Sequence, residues 1–491
     1  MLEIPRPMPN RIPMRLSIAA LLLWTSAAAF AAPADDTWMS VMLDGRKIGH
    51  MHTTRTVRGD RVTTTQALSV ELDRAGVKVS LTTSEVDTET RDGKPLAFAT
   101  TTGISGTASI VRGEVRPDGT CEVTTEVGGN RQVRTIVWPR GALLAEGLRL
   151  AEEKSGLAPG THIRETAFQA ESLDAVDVES TVGARESVDL PDGRMSLIKV
   201  EQLIHLSDAP TKSVSWIDDD QNVRKLTMPL MGFELTMQAC SQACAKAPNQ
   251  GTDILTHAMA KAPAAITTDE LRHGVVLKLS AKDGGDPLRF ASTDEQRVTT
   301  TADGVELHIA PLGANPGASR EEAPTPADTA PNDWLQSDAP EIRRLAAQGA
   351  GDAKTAHDRM QRLEGFVRSY IVTKDLNVGY ASALEVAKKP EGDCTEHAVL
   401  LAALGRALGI PTRVVDGLVY ADHYAGADHV FVPHAWAQAY VDGHWQSFDA
   451  ALFGFDAGHL ALSVGDGDPW RFYSGLDTLG RMKVEAVAAA Q

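Results

Sequence analysis

From Trp38 to about Thr236 the chain alternates with period two, a pattern that constrains this half to antiparallel β-structure. The stretch TWMSVMLDGRKIGHMHTTRTV predicts strand, turn and strand, with Asp44-Gly45 at the tip, because Asp-Gly accepts the backbone of a two-residue hairpin. TTTQALSVELDRAGVKVSLTTSEVDTET repeats the design around Ala75-Gly76, and TASIVRGEVRPDGTCEVTTEV adds further short strands. The Thr, Val and Ser content suits a pleated, half-buried surface. One interruption, GALLAEGLRLAEEKSG from Gly141 to Gly156, sets leucines at 143, 144, 148 and 150 and predicts a helix. Strands resume in DAVDVESTV, RMSLIKVEQLIHL and KSVSWIDDDQNVRKLTMPLMGFELTM, the last with a polar turn at Asp218–Asn222. Residues 35–240 are therefore expected to form an antiparallel sandwich or barrel-like β domain.

A smaller β segment is expected over 265–312, from HGVVLKLSAK and QRVTTTADGVELHIA. Residues 313–339 are rich in Pro, Ala, Gly and acidic groups and predict a linker. Then the period changes. PEIRRLAAQGAG, TAHDRMQRLEGFVRSYIVT and YASALEVAKKP predict three helices; in the second, Met360, Leu363, Phe366 or Val367, and Tyr370 share a face. After Pro411, TRVVDGLVYA and HAWAQAYVDGHWQSFDAAL predict strands joined by an Asp442-Gly443 turn. Residues 340–480 thus form an α+β domain, followed by a tail at 481–491, and the whole is multidomain.

The first 31 residues predict an export signal. Arg11 and Arg15 precede an apolar run from Leu16 to Phe30, and Ala29-Phe30-Ala31 offers a small-x-small cleavage pattern. The run is short for a membrane anchor, and no later stretch is apolar enough to span a bilayer. The expected location is exported: periplasmic in a Gram-negative host, otherwise secreted. The net charge is -17, and removing the +2 carried by Arg6, Arg11, Arg15 and Glu3 leaves -19. With no Lys/Arg run, nucleic acid is not an expected partner, and an acidic surface disfavours anionic membranes.

An oxidising compartment permits disulfides among Cys121, Cys240, Cys244 and Cys394. Cys240 and Cys244 are local enough to pair, but not as i,i+4 residues of a regular helix; a turn is required. The alternative is two unpaired thiols, and the pair lacks the C-x-x-C spacing of thioredoxin-like redox sites. Cys121, on a predicted strand, is expected as a small apolar filler.

Cys394 has a more specific setting. It stands in GDCTEHAVLLAALGRALG, where Gly392 permits a tight turn and Asp393 is placed to cap a helix whose first turn holds the sulfur. The positive end of a helix favours thiolate, and thiolate is the form that attacks a carbonyl carbon. A base is needed. His434, in VPHAWAQAYVDG, can take the thiol proton and return it to a leaving group. Asp449, in HWQSFDAAL, can orient that ring. Counting out from the Asp442-Gly443 turn, 441 meets 444 and 434 faces about 451, so Asp449 is a diagonal neighbour of His434, roughly 7–8 Å away at Cα.

G-D-C with its apolar helix, GIPTRVVDGLVY, HAW with a tight turn, and W-x-x-x-D together resemble the bacterial transglutaminase-like superfamily, whose fold is papain-like. The motifs cover roughly residues 340–480. The resemblance implies Cys394 as nucleophile, His434 as general base and acid, and Asp449 as orienting carboxylate, acting on a protein or peptide amide through a thioester with no cofactor. Ala450 departs from the proline that family often carries after the aspartate. The opening of the β-rich half, W-x-x-x-x-x-D-G-x-K-x-G, is similar to the export-associated part of some bacterial members.

Bland assignments compete with each of these. Taken singly, Cys394 is a buried filler, His434 a sheet histidine and Asp449 a turn residue. His397 is expected in a supporting or solvent-facing role. His423, His429 and His434 with Asp422 and Asp428 match no compact metal pattern, so no metal is expected. Trp436 and Trp445 suit hairpin packing, and Trp436 could also wall a cleft. Two function classes remain: an exported amide hydrolase or acyltransferase, hydrolysis being favoured because water needs no second binding site, and an exported binding or assembly protein whose papain-like domain is catalytically silent.

Overall fold

Alternation in the first half produces one very long sheet. The computed structural model describes residues 36–490 except 75–76, 105–106, 207–209, 283, 286, 314–316, 374–379 and 470–477. The expected export signal and the Ala75-Gly76 turn lie outside the described residues.

Fifteen strands between Asp36 and Ala239 form a single sheet built from two meanders. The first strand, Asp36–Leu43, pairs antiparallel with the last, Phe233–Ala239, and joins the meanders. The two edge strands, Asn130–Val137 and Ala142–Leu143, are consecutive in the chain. The sheet curls until its halves touch: Phe98 from one meets Phe168 from the other, ring centroids 4.9 Å apart. Of the two shapes expected, this is the barrel-like one. Cys121 is fully buried in that contact, beside Phe98 and Val123, and burial pushes its thiol up to about 11.

The predicted helix appears as Ala145–Ser155. Its first turn donates backbone N–H groups from Glu146 and Gly147 to the Glu89 carboxylate, at 2.5 and 2.9 Å, as a helix N-terminus favours. Glu146 in turn binds Arg55 and Arg149. Glu89 belongs to an unusual row. On the strand Val77–Thr90, Val79 and Leu81 are buried, and the same face continues as Thr83, Glu85, Asp87 and Glu89, all at least nine-tenths buried. The curled sheet thus buries a row of acids on a face that also carries apolar side chains, Asp87 lying directly opposite the buried Phe98.

The chain then builds two smaller sheets. Strands Val275–Ala281, Gln296–Thr301 and Gly304–Ile309 form one, and its fourth strand is Met482–Ala489. The expected tail is therefore a strand: MKVEAV alternates, and Met482 and Val484 are buried against the sheet. The second sheet contains strands Thr412–Tyr424, Ala427–Val441, His444–Phe448 and His459–Gly465, with Ala260–Lys261 added from before the small β segment. Val441 pairs with His444, as the two-residue turn requires. Helices Pro340–Ala350, Ala356–Tyr370, Ala383–Lys388 and Cys394–Ala407 precede these strands. Nearly every residue of the last helix is buried, so it forms the centre of this domain.

Of residues 313–339, expected as a linker, the described part from 317 to 339 is instead packed as a strap. Glu321 pairs with Arg413, the Glu322 carbonyl accepts from Trp445 Nε1 at 2.9 Å, and the Ala330 carbonyl accepts from Arg406 at 2.8 Å. Trp334 is 7% exposed and meets the Tyr380 ring edge-on at 5.1 Å. Polar composition concealed these anchors because their partners, such as Arg406, Arg413 and Trp445, lie far along the chain. Trp334→Ala is expected to cost about 3–5 kcal/mol, the usual price of emptying a buried aromatic site, seen as a lower denaturation midpoint in urea. A free linker would show no change.

Candidate active site

Cys394 opens its helix as the residues around it dictate. Gly392 has φ +143°, and a Cβ there would stand 2.4 Å from Glu396 Cγ. Asp393 caps the helix by accepting from the Thr395 N–H at 3.1 Å, while its own N–H donates to Glu396 at 2.9 Å. This reciprocal cap fixes the first turn. The other Glu396 oxygen accepts from the Ala381 N–H at 3.0 Å, tying the preceding loop to the same turn. His397 is buried and its Nδ1 contacts the Asp393 carbonyl, a supporting position.

His434 lies opposite Gly417 on the adjoining strand. Its Nε2 is 2.8 Å from Asp449 Oδ2. A carboxylate only accepts, so Nε2 carries the proton, and in the neutral ring Nδ1 carries the lone pair. That Nδ1 is buried and makes no hydrogen bond. Cys394, His434 and Asp449 are 2%, 2% and 0% exposed. The sulfur and the imidazole are accordingly not hydrogen-bonded to each other, and the constellation is closed to solvent.

Asp449 follows the strand His444–Phe448 directly and is held from every side. Its Oδ1 accepts from the N–H groups of Ala451 and Leu452 at 2.8 and 3.2 Å, closing a turn in which alanine follows the aspartate. Its own N–H donates to Glu364 at 2.8 Å and its carbonyl accepts from Arg368 at 3.1 Å. Burial pushes the Glu364 carboxyl up to about 7.

A fourth residue joins this group. His459, at the start of the strand His459–Gly465, places Nε2 3.0 Å from the same Asp449 oxygen and Nδ1 3.0 Å from Asp456. Burial would lower its imidazole, but the two carboxylates outweigh burial and raise it to about 10. Burial would likewise raise Asp449, but the two histidines hold its carboxyl well below the usual range. Asp449 is thus a carboxylate shared between two imidazoles. His459 escaped the sequence reading because it looks like an ordinary polar residue before an apolar run. The available signal was a histidine three residues after Asp456, at the edge of a buried strand.

Trp436 stands near both histidines, with centroids 6.2 Å from His434 and 5.2 Å from His459, and donates Nε1–H to Ser447 at 3.0 Å. Its 2% exposure makes it a packing residue in this structure. Trp445 is buried beneath Arg413, whose guanidinium lies 3.8 Å from its ring.

For a metal, His434, Asp449 and His459 are the group among the described residues whose ligand atoms converge, within 4.8 Å of one another. The two nitrogen–oxygen distances, 2.8 and 3.0 Å, suit hydrogen bonds better than the ~3.3 Å edges of a tetrahedral zinc site. His423 and His429 do not join them: His423 contacts Asp428 at 2.6 Å and His429 contacts the Tyr420 hydroxyl at 3.0 Å.

Cys240 and Cys244 form a disulfide with Cα atoms 5.9 Å apart. Cys240 precedes the short helix Gln242–Ala245, so the pair spans a turn rather than two positions of one helix, as disulfide geometry requires. A double Cys240→Ser, Cys244→Ser variant is expected to leave the rate at which a thiol-directed electrophile labels Cys394 unchanged; a parallel loss of labelling in the folded variant would tie this pair to the site.

Residues 343–450 match the family model of the transglutaminase-like superfamily, a span that includes Cys394, His434 and Asp449. The C-terminal region therefore carries a transglutaminase-like domain, joined to a large β-rich region. His459 falls outside the matched span. No curated protein matches the sequence. Among solved structures, the chain is similar to a candidate cysteine protease from Cytophaga hutchinsonii, at 15% identity over 45% of this chain and 84% of that one, with a TM-score of 0.26. It is also similar to a β-barrel-like protein of unknown function from Brucella abortus, at 14% identity over 42% of this chain and 95% of that one, TM-score 0.33. A candidate protease from Parabacteroides distasonis matches at 10% identity over 74% of this chain and 69% of that one, TM-score 0.20. No helix among the described residues is long and apolar enough to cross a membrane.

Proposed function

We propose that the protein is an exported cysteine-dependent enzyme that cleaves or transfers amide bonds through a thioester, with hydrolysis as the favoured outcome. The supporting observation is the state of His434: Nε2–H is committed to Asp449 at 2.8 Å, which leaves Nδ1 as the proton acceptor. In the proposed reaction the Cys394 thiol gives its proton to Nδ1 and the thiolate attacks the amide carbon. The Cys394 backbone N–H is assigned to the developing oxyanion. Nδ1–H then passes its proton to the departing amine as the carbon–nitrogen bond breaks and a thioester remains. Water, deprotonated by the same nitrogen, attacks the thioester and releases the acid and the thiol; an amine in place of water gives a new amide. Asp449 keeps the ring oriented throughout. Substrate entry requires the closed site to open. The test is a panel of peptide amides with parent and Cys394→Ala protein: equal turnover by the two removes the reading.

A second reading has its own support. Burial of Cys394 to 2% and the absence of a sulfur–imidazole hydrogen bond are what a silent papain-like domain would show. It would then serve the β-rich half as a binding or assembly module. Under that reading a thiol-directed electrophile leaves Cys394 unlabelled in the folded protein.

A further inference from the structure

In the transglutaminase-like domain the strands lie in the order His444–Phe448, Ala427–Val441, Thr412–Tyr424, His459–Gly465. Asp449 and His459 therefore belong to opposite edges of one sheet. Their hydrogen bond of 3.0 Å requires the sheet to curl until those edges face each other across a seam. A strand edge presents unpaired N–H and C=O groups at every second residue. On the first edge the N–H groups of Trp445, Ser447 and Asp449 each donate to a carboxylate: Asp294 at 3.0 Å, Glu295 at 3.0 Å and Glu364 at 2.8 Å. On the other edge Gln296 accepts from the Ala461 N–H at 2.9 Å and donates its amide N–H to the Ala461 carbonyl at 2.7 Å, as a neighbouring strand would. Three consecutive side chains, 6%, 3% and 2% exposed, thus bond to both edges.

Two acids and an amide are costly at that depth unless their bonds are made, so the seam and the tripeptide depend on each other. The strap holds the tripeptide in turn. Ser319 Oγ and the Arg320 N–H donate to Asp294 at 2.8 and 2.6 Å, and the Asp294 N–H donates to Glu321 at 2.8 Å. All of these residues precede the span 343–450 that matches the family model. We propose that Asp294-Glu295-Gln296 is a positioning clamp for the active site, fixing the two strand edges and with them the bond from His459 to Asp449, the carboxylate that orients His434. This role rests on the amide chemistry proposed above, where a misplacement of ~1 Å can cost about 10²-fold in rate. The segment ahead of the family domain is then a working part of its site.

The test is proton NMR of the full chain, reading the downfield resonances of the N–H protons that His434 and His459 donate to Asp449, assigned with His434→Gln and His459→Gln. Gln296→Met keeps the volume but makes neither bond to Ala461, and Glu295→Ala frees the Ser447 N–H. Each should shift or erase the His459 resonance while the urea midpoint shows the chain folded. Glu295→Gln should restore it, because an amide oxygen still accepts from Ser447 and burial, which pushes Glu295 up to about 8, already favours a neutral group there. On peptide amides, kcat of Gln296→Met should fall about tenfold or more with KM within about twofold, the signature of a loss felt only in the transition state. Should Gln296→Met not fold, Gln296→Glu, which keeps the acceptor for the Ala461 N–H, is read by the same criteria. Resonances unchanged in the folded variants, or a rise in KM with kcat intact, overturn the clamp. A parent inactive on every amide whose His459 resonance still responds to Gln296 overturns the chemistry of Cys394 and leaves the clamp standing.

Discussion

Cys394→Ala protein is expected to fold as the parent does and to lose amide turnover by about 10⁴-fold or more, the scale on which removal of a nucleophile acts. Folding should survive because the sulfur sits at a helix tip whose cap is made by Asp393 and Glu396, not by Cys394 itself. Truncation to alanine removes one buried heavy atom, worth about 1 kcal/mol. Circular dichroism and a urea midpoint measure the fold, and the peptide-amide panel measures turnover. A stable variant that retains full turnover would assign the chemistry to another residue. A parent with no turnover on any amide, together with an unreactive Cys394, would favour the binding reading.

The second large effect concerns the carboxylate shared by two imidazoles. Asp449→Ala is expected to cost about 3–5 kcal/mol, because it strips a buried charged partner from His459 and leaves that charge uncompensated. The pH dependence has two limbs. His459 is raised to about 10 from an ordinary value near 6.5, so its contribution is complete below about pH 6.5 and is lost as pH rises toward 10. Asp449 is lowered, so its contribution is present above the ordinary aspartate value, about 3.9, and is lost as pH falls below it. A urea midpoint measured across pH should form a plateau between these limits. His459→Gln should flatten the alkaline limb, whereas a parent curve that is already flat above pH 7 would contradict the assignment. Because the substitution also removes a positive neighbour of Asp449, the acidic arm of the pH–rate profile should move, a change that packing alone would not cause.

What the sequence disclosed, and what it hid, follows from how locally each feature is determined. The Asp393 cap and the Val441–His444 pairing are set by neighbours within a few residues, and both appear in the structure as the text implies. His459 is different. Its partnership with Asp449 depends on a strand that returns beside Thr412–Tyr424 after a loop, and no short-range pattern carries that return. Strand Met482–Ala489 was hidden for a similar reason: its partner, Val275–Ala281, lies some two hundred residues earlier. The acidic interior was concealed by its own pattern. In LTTSEVDTE the natural expectation turns Val86 inward, but the sheet buries Glu85, Asp87 and Glu89 and leaves Val86 only half-buried. Helix Ala145–Ser155 makes this tolerable by offering N–H donors to Glu89 and Asp87; nothing in the strand's own residues announces them.

The most direct test of the account is site-resolved alkylation by iodoacetamide at neutral pH, followed by peptide mass mapping, in parent and His434→Ala protein. Selective modification of Cys394 over the buried Cys121 in the parent, falling at least tenfold in the variant while its urea midpoint shows it folded, is the predicted result. Labelling of Cys394 only upon unfolding, or at the same rate with and without the imidazole, would contradict it.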